Sequence, residues 1–490
     1  MSFERVTPES VGIHSKAITD FLRSLEEKGM EAHSLMILRH GKVCAEGWWK
    51  PYAPEILHPV FSFSKALTST AIGFAEQEGL LSLEEHIVDL FPDMLPEFVS
   101  DNLKKMTVFH LLTMSCGHDT EDDSRDRVDW IRRFLAHPVV HEPGSYFLYN
   151  TEGTNLLAAI LYRKTGCQLV EYLRPRLFEP LGISGISCIK LSDGTDMGGG
   201  GFRLHTEDMA RFIQFVLNRG SWEGRQLLRA DWFDRATAKQ VETYGAKDWG
   251  QGYGFKFWRC MPAGVFRADG AFGQYGVVLP RQDAAIIMTS AVDMMQEILD
   301  SIWEHLLPGM EDAPLDENFA ALHSLRYRLE HLEIHPFPAN RSDSCAAMFG
   351  DKHYVAQGES CGFDCLIGGA RFPVQKESPA LESLSFAFLP REARLTLKQG
   401  GVEYSLPVGM DGHFRTAETP LGTFSSQARW RSMGVLELEI RRLEISIAGA
   451  RLLLRFSQDG SMTLERESIM VVNSPLDPTP PVTLIRFQQV

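Results

Sequence analysis

No stretch of this 490-residue sequence approaches the roughly 20 apolar residues that a membrane-spanning helix requires. Its most apolar runs are broken by charges within about ten residues, so no membrane is expected among its partners. Residues 1–12 have no basic segment leading into an apolar run, and a secretory leader is not expected. Cysteine is sparse. The eight (Cys44, Cys116, Cys167, Cys188, Cys260, Cys345, Cys361, Cys365) are scattered, which suits reduced thiols and a cytoplasmic location better than a disulfide framework. Only Cys361 and Cys365 are close-spaced. No second Cys/His pair with zinc spacing accompanies them, and no metal is expected. Positive charge is also short: 49 Lys and Arg face 64 Asp and Glu, and a net charge of −15 argues against a nucleic-acid surface. A phosphate-binding signature is missing as well. Four glycines at 198–201 precede a helix opening at Thr206, but without Gly-Lys-Ser/Thr or dinucleotide spacing. They read as close backbone packing, and no cofactor is expected.

What the sequence does contain is organised around residues 59–72. Ala66, Leu67, Ala71, Ile72, Phe74 and Ala75 supply a helical apolar pattern. Ser62 stands at the start of this helix and Lys65 three residues on, which puts hydroxyl and amine on one face. A deprotonated lysine in a dry cleft can take a proton from a serine that is otherwise a poor nucleophile. Locally, an ordinary N-cap serine with a surface lysine fits equally well. The same spacing recurs at Ser187 and Lys190, in a Gly/Ser-rich stretch with no helix to carry it.

In chain order, the pattern predicts a helix from Ser15 to about Lys28. Two β runs follow, His33–Arg39 and Lys42–Trp49, turned at His40-Gly41. Residues 118–141 read as a charged loop able to wall a cleft, with one amphipathic run from Val128 to Leu135. Tyr149 comes just before a further helix. Residues 251–291 read as three strands: Gly252–Trp258, a long one from Phe266 through Gly270 to Pro280, and Ala284–Ser290. A helix from Met294 to Leu307 follows. A linker is expected at 308–314. Beyond it, short alternating runs such as Leu384–Leu389, Val402–Val408, Val435–Ile440, Glu444–Ile447 and Arg451–Phe456 predict an all-β domain, sandwich or barrel, over 315–490.

Taken together, residues 1–307 resemble the serine β-lactamase-like hydrolases: class C β-lactamases, penicillin-binding-protein-like peptidases and their esterase relatives. The resemblance rests on ordered motifs: Val-Gly-Ile near the start, Phe61-Ser-Phe-Ser-Lys65, His110-Leu-Leu-Thr-Met-Ser-Cys-Gly117, Pro143-Gly-Ser-Tyr-Phe-Leu-Tyr149-Asn-Thr151, the glycine run into Phe202-Arg-Leu-His-Thr-Glu-Asp, and Gly270-Ala-Phe-Gly-Gln274 before a strand. The fold class it implies is α/β (α+β). A mostly antiparallel sheet is flanked by helices, a helical subdomain spans roughly 76–205, and the active site lies between them.

The resemblance implies Ser62 as acylating nucleophile, Lys65 as its proton partner and Tyr149 as the tyrosine of the second motif. The backbone N–H groups of Ser62 and Ala271 would form the oxyanion hole. The usual Tyr-x-Asn reads Tyr149-Asn150-Thr151 here, which makes Asn150 and Thr151 substrate-binding candidates. The third motif, usually Lys-Thr-Gly, matches Ala268-Asp269-Gly270, and Asp269 and Gly270 are further candidates for substrate contact. Its usual cation is missing, and Arg267 would point to the other face of the strand. That lowers the expectation of β-lactams or peptide C-termini as substrates. Lys164-Thr165-Gly166 reads as a helix end instead. Gly358-Glu-Ser360-Cys-Gly362 matches a Gly-x-Ser-x-Gly elbow, but a β or turn pattern is expected after it rather than a helix.

The expected function is hydrolysis of a small-molecule ester or amide through a Ser62 acyl-enzyme, esterase-like rather than a true β-lactamase. The alternatives are a D-amino-acid amidase or peptidase, and a non-catalytic scaffold on the same fold. Residues 315–490 are left to cover the cleft, mediate homo-oligomerisation or bind a partner.

Overall fold

The computed structural model describes residues 3–121, 127–338, 340, 342–367, 379–445, 447, 449–469 and 484–490. Two compact units emerge. One comprises Met1–Gly47 with Pro59–His331, the other Trp48–His58 with Leu332–Val490. The stretch 308–314 therefore lies inside the first unit, which continues through a helix at Phe319–Glu330 whose Leu322 and Leu325 are buried. The second unit also takes in an early segment. Lys50 N–H donates to Leu332 O at 3.0 Å, and Ile334 N–H to Lys50 O at 2.9 Å. Paired backbone groups of this kind are hard to foresee from spacing alone.

The first unit is built on a six-stranded sheet: β1 (Ala32–Arg39), β2 (Lys42–Trp48), β3 (Trp258–Arg259), β4 (Phe266–Gly270), β5 (Gln274–Leu279) and β6 (Ala284–Ser290), in the order β2-β1-β6-β5-β4-β3. Adjacent members pair antiparallel, for example Ile37 with Ile286 and Val277 with Ile286. At the β1–β2 turn, His40 and Gly41 have φ of 52° and 71°, the left-handed pair that a tight two-residue hairpin demands. Every residue of β1, β5 and β6 is buried, so both faces are covered. Helix α1 (Ser15–Glu27) buries Ile18, Phe21, Leu22 and Leu25, and a later helix, Thr206–Leu217, lies on the sheet. A Cβ on Gly276 of β5 would stand 2.5 Å from Ile213 of that helix and 2.8 Å from Phe63.

Two strand expectations are corrected. The long strand through Gly270 is two strands, because the chain reverses at Ala271–Gly273, where Phe272 and Gly273 have φ of 67° and 85°. Gly252–Trp258 is not a regular strand either. Gly252 and Lys256 have φ of 102° and 69°, which breaks the pleat, and only Trp258–Arg259 pairs with β4.

The second unit is a barrel of β7 (His353–Gln357), β8 (Leu381–Phe388), β9 (Glu392–Gln399), β10 (Val402–Gly409), β11 (Arg415–Thr419), β12 (Gly422–Ser432), β13 (Val435–Arg442), β14 (Ala450–Phe456), β15 (Ser461–Ile469) and β16 (Leu484–Gln489). The order is β10-β9-β8-β7-β16-β15-β14-β13-β12-β11. Nine of these strands close into a ring where Gly409 of β10 pairs parallel with Gln427 of β12, and β11 lies on β12 outside the ring. Closure removes the exposed edges that an open sheet would leave. The interior is filled by residues such as Leu384, Leu395, Val408, Trp430, Leu438, Leu452 and Phe456. The run expected at Glu444–Ile447 is a turn at Leu443–Ile445, and Ser446 lies outside the described residues. Among the described residues, no helix is long and apolar enough to cross a membrane.

Candidate active site

The Ser62 segment is held from three sides. Phe61–Phe63 forms one tight helical turn that runs directly into α2 (Ser64–Gln77). Phe61 has a φ of 44°, a costly conformation for a bulky residue, and strain of this kind concentrates at functional sites. The first twelve residues of α2 are all buried, Lys65 and Thr68 among them, so the helix is a core element rather than an amphipathic surface one. Phe202 brackets the turn. Its carbonyl accepts from Val60 N–H at 3.1 Å, and its N–H donates to Ser64 Oγ at 3.1 Å. The glycine run before it lies along α2, where Thr68 Oγ1 donates to Gly198 O at 2.8 Å. A Cβ on Gly199 would stand 2.7 Å from Thr151 Cγ2 and 2.9 Å from Asn155 Oδ1, so these glycines serve close packing.

Lys65 is 1% exposed. Its Nζ donates to Ser62 Oγ at 2.9 Å, to Gly199 O at 2.5 Å and to Thr151 Oγ1 at 3.4 Å. The surface-lysine reading is thereby ruled out. Tyr149 lies on the same side: Lys65 Nζ sits 5.0 Å from its ring centroid. Burial, then the charge of Asp269, push the Tyr149 phenol above its ordinary range. Nearby, Lys256 donates to Leu111 O at 2.6 Å and to Met114 Sδ at 3.3 Å. Burial holds its amine well below the ordinary lysine range, and the like charge of Lys65 adds to this.

The second-motif neighbours divide. Asn150 is buried and caps α3 (Thr151–Thr165). Its Oδ1 accepts from Gly153 N–H at 2.9 Å, and its Nδ2 lies 3.3 Å from His118 Nδ1. Its amide oxygen is therefore engaged at the helix end and its amide nitrogen faces His118. Thr151 stays partly exposed beside Lys65, and its N–H donates to the Glu121 carboxylate at 2.5 Å.

On the sheet side, Gly270 ends β4 against the turn that carries Ser62. A Cβ there would stand 2.1 Å from Val60 O and 3.1 Å from Ser62 N. Gly270 thus permits close backbone approach. Ala271 follows in the turn, its carbonyl accepting from Gln274 Nε2 at 3.0 Å. Asp269 is buried and its Oδ2 accepts from Arg267 Nε at 2.8 Å. Burial raises its carboxyl and Arg267 lowers it again.

The other sequence candidates resolve readily. Lys190 pairs with Asp196 at 2.5 Å, leaving Ser187 without the lysine its spacing suggested. Gly166 is the left-handed C-cap of α3, and Lys164 pairs with Glu85. A short helix, Phe363–Ile367, does follow the Ser360 elbow, contrary to expectation. Ser360 Oγ nevertheless donates to Leu381 O at 2.8 Å, and among the described residues no histidine hydrogen-bonds to it. Among the described residues, no group of three or more His, Cys, Asp or Glu is placed to hold a metal. Sequence reasoning missed the Gly199 carbonyl, Glu121, Lys256 and Trp258. Gly199 and Trp258 stood in segments read only as packing and as strand, and no motif marked the other two.

Comparison with known proteins gives one family model, Beta-lactamase, matching residues 18–297. The 6-aminohexanoate-dimer hydrolase of Paenarthrobacter ureafaciens is 24% identical over 315 residues, 58% of this chain and 79% of that one. The D-aminopeptidase of Brucella anthropi is 24% identical over 293 residues, 50% of this chain and 56% of that one, so the chain spans little more than half its length. Among solved structures, the octameric penicillin-binding protein homologue from Pyrococcus abyssi superposes with a TM-score of 0.50 at 14% identity, covering 96% of this chain and 99% of that one.

Proposed function

The chain belongs to the Beta-lactamase family and is an enzyme of hydrolase type, and on that premise we propose that it hydrolyses a small ester or amide through a Ser62 acyl-enzyme. The observation that carries this reading is the hydrogen bond from the buried Lys65 Nζ to Ser62 Oγ at 2.9 Å, with the Tyr149 ring centroid 5.0 Å from that same Nζ. Ser62 Oγ bonds to the substrate carbonyl carbon. Its proton passes through the Lys65/Tyr149 pair to the departing alcohol or amine as that bond breaks. Water then attacks the acyl carbon, gives its proton to the same pair, and Ser62 leaves with that proton restored. The N–H groups of Ser62 and Ala271 receive the oxyanion, a donor worth about 3 kcal/mol in the transition state. Ala268 offers no cation on the cleft edge and Arg267 is tied to Asp269, which favours esterase-like substrates over those with an obligatory carboxylate.

A second reading is cleavage next to an ammonium group, as in a D-aminoacyl amide. The exposed Glu121 carboxylate beside Thr151 favours it, since it places negative charge where such an amine would sit.

The test is intact-mass analysis and turnover with a short-chain p-nitrophenyl ester and a fluorophosphonate probe, with wild type beside Ser62→Ala. Labelling and turnover that vanish together in the variant support the reading. Labelling that survives overturns the choice of serine. A folded protein that forms no adduct moves the assignment to a non-catalytic scaffold.

A further inference from the structure

The strand that edges the nucleophile turn carries its cation on the inside. Arg267 is fully buried. Its Nε donates to Asp269 Oδ2 at 2.8 Å, and its Nη1 donates to Arg259 O at 3.1 Å, Asp248 O at 3.3 Å and Cys260 Sγ at 3.5 Å. The guanidinium lies over two indoles, 4.5 Å from the Trp249 ring centroid and 5.5 Å from that of Trp258. Trp258 in turn stacks on Tyr149, with centroids 5.7 Å apart and planes 18° from parallel. Tyr253 and Trp249 meet Trp258 edge-on at 4.8 and 5.0 Å, and Phe147 at 5.7 Å, so the indole cannot turn without disturbing three neighbours.

We propose that Arg267 and Asp269 are positioning residues that act through Trp258 to hold the Tyr149 ring beside Lys65 and so orient its hydroxyl for the proton path at Ser62. The inference rests on the acyl-enzyme reading above. A buried ion pair is a poor stabilising device, because the desolvation of both charges offsets their attraction and apolar side chains of similar volume do as well. Its presence one layer behind Tyr149 calls for a further role. A tyrosine ring turns about two side-chain torsions, and an off-line hydroxyl breaks a proton path that tolerates little displacement. An aromatic stack fixes the ring plane while leaving the hydroxyl free to exchange its proton. The pair also sets the field at that hydroxyl. The charged or titratable groups facing Tyr149 are Lys65 from α2, Asp269 and Arg267 from β4, Glu121 from the loop before Trp130, and Tyr253. Of the two strand charges, Asp269 disfavours phenolate and Arg267 favours it.

The test compares full-length Trp258→Leu, Trp258→Phe, Asp269→Asn and Ser62→Ala with wild type on p-nitrophenyl butyrate, reading kcat, KM and the pH profile. Trp258→Leu is expected to lower kcat by about tenfold or more with KM nearly unchanged. Trp258→Phe keeps a stacking ring and recovers most of that loss. Asp269→Asn, isosteric and thus the variant that decides if Trp258→Leu does not fold, removes a charge that holds the phenol up. The alkaline limb of kcat therefore moves to lower pH. Ser62-dependent turnover with a wild-type kcat in folded Trp258→Leu and a wild-type pH profile in folded Asp269→Asn, or the latter alone where Trp258→Leu does not fold, overturns this inference alone. Turnover that persists in Ser62→Ala overturns the acyl-enzyme reading beneath it.

Discussion

Gly270 backs onto the amide of Ser62 so closely that a single methyl would stand 3.1 Å from that nitrogen and 2.1 Å from the Val60 carbonyl oxygen. The glycine of the third motif is thus the point where the sheet touches the turn that carries Ser62. Backbone cannot yield as a flexible side chain can. Gly270→Ala is expected to cost about 1–3 kcal/mol of stability and to lower kcat/KM more than a hundredfold, as the turn carrying Ser62 shifts. Thermal unfolding and ester turnover measure the two effects separately. Unchanged values for both would mean that the turn and strand do not meet.

Lys65 answers to three oxygens at once, from Ser62, Gly199 and Thr151. Lys65→Ala removes the proton partner, and kcat is expected to fall by roughly a thousandfold or more. Lys65→Arg should not restore it, because a guanidinium stays protonated and cannot take the serine proton. The rate of fluorophosphonate labelling should fall with kcat in both variants. Rapid labelling in Lys65→Arg would count against a proton-accepting role.

Asn150 acts as a helix cap, and its variants should behave accordingly. Asn150→Asp keeps an acceptor for Gly153 N–H and is expected to unfold within a few tenths of a kcal/mol of wild type. Asn150→Ala should lose about 1 kcal/mol or more. Denaturant melts decide this, and an alanine variant as stable as wild type would contradict the capping assignment.

Burial pushes the Cys44 and Cys116 thiols up to about 12, and the Cys260 thiol up to about 11. Since the thiolate is the reactive form, these three should resist iodoacetamide in the native protein at pH 8 and react on unfolding. Peptide-level alkylation mapping checks each one. Fast native labelling of Cys44 or Cys116 would show that the core opens.

The residues proposed for acyl transfer were legible because their placement is local. Ser62 and Lys65 lie one helical turn apart, so spacing alone puts them on one face. Tyr149 precedes a helix whose cap and left-handed Gly166 end are both written in residue type. The β1–β2 hairpin announced itself through His40-Gly41, and the alternating runs after residue 380 announced a β domain. Periodicity carries these signals because each depends on near neighbours in the chain.

Tertiary structure alone decided the rest. Whether Lys65 faces solvent or Ser62 depended on packing α2 wholly inside the unit. Asn150 and Asp269 matched a motif by position, but which partners they take inside the fold, Gly153 N–H for the amide oxygen and the Arg267 guanidinium for the carboxylate, was set by packing. The single strand expected through Gly270 became two because Phe272 and Gly273 took left-handed conformations. Ring closure of the barrel rests on Gly409 meeting Gln427, and the second unit recruits residues 48–58 across nearly 300 positions of sequence. Sequence determined which side chains were available and which helices and strands they could build. Long-range contact determined which of them would be left facing Ser62, since burial and the need to pair every buried polar group are satisfied by the whole fold and not by any one segment.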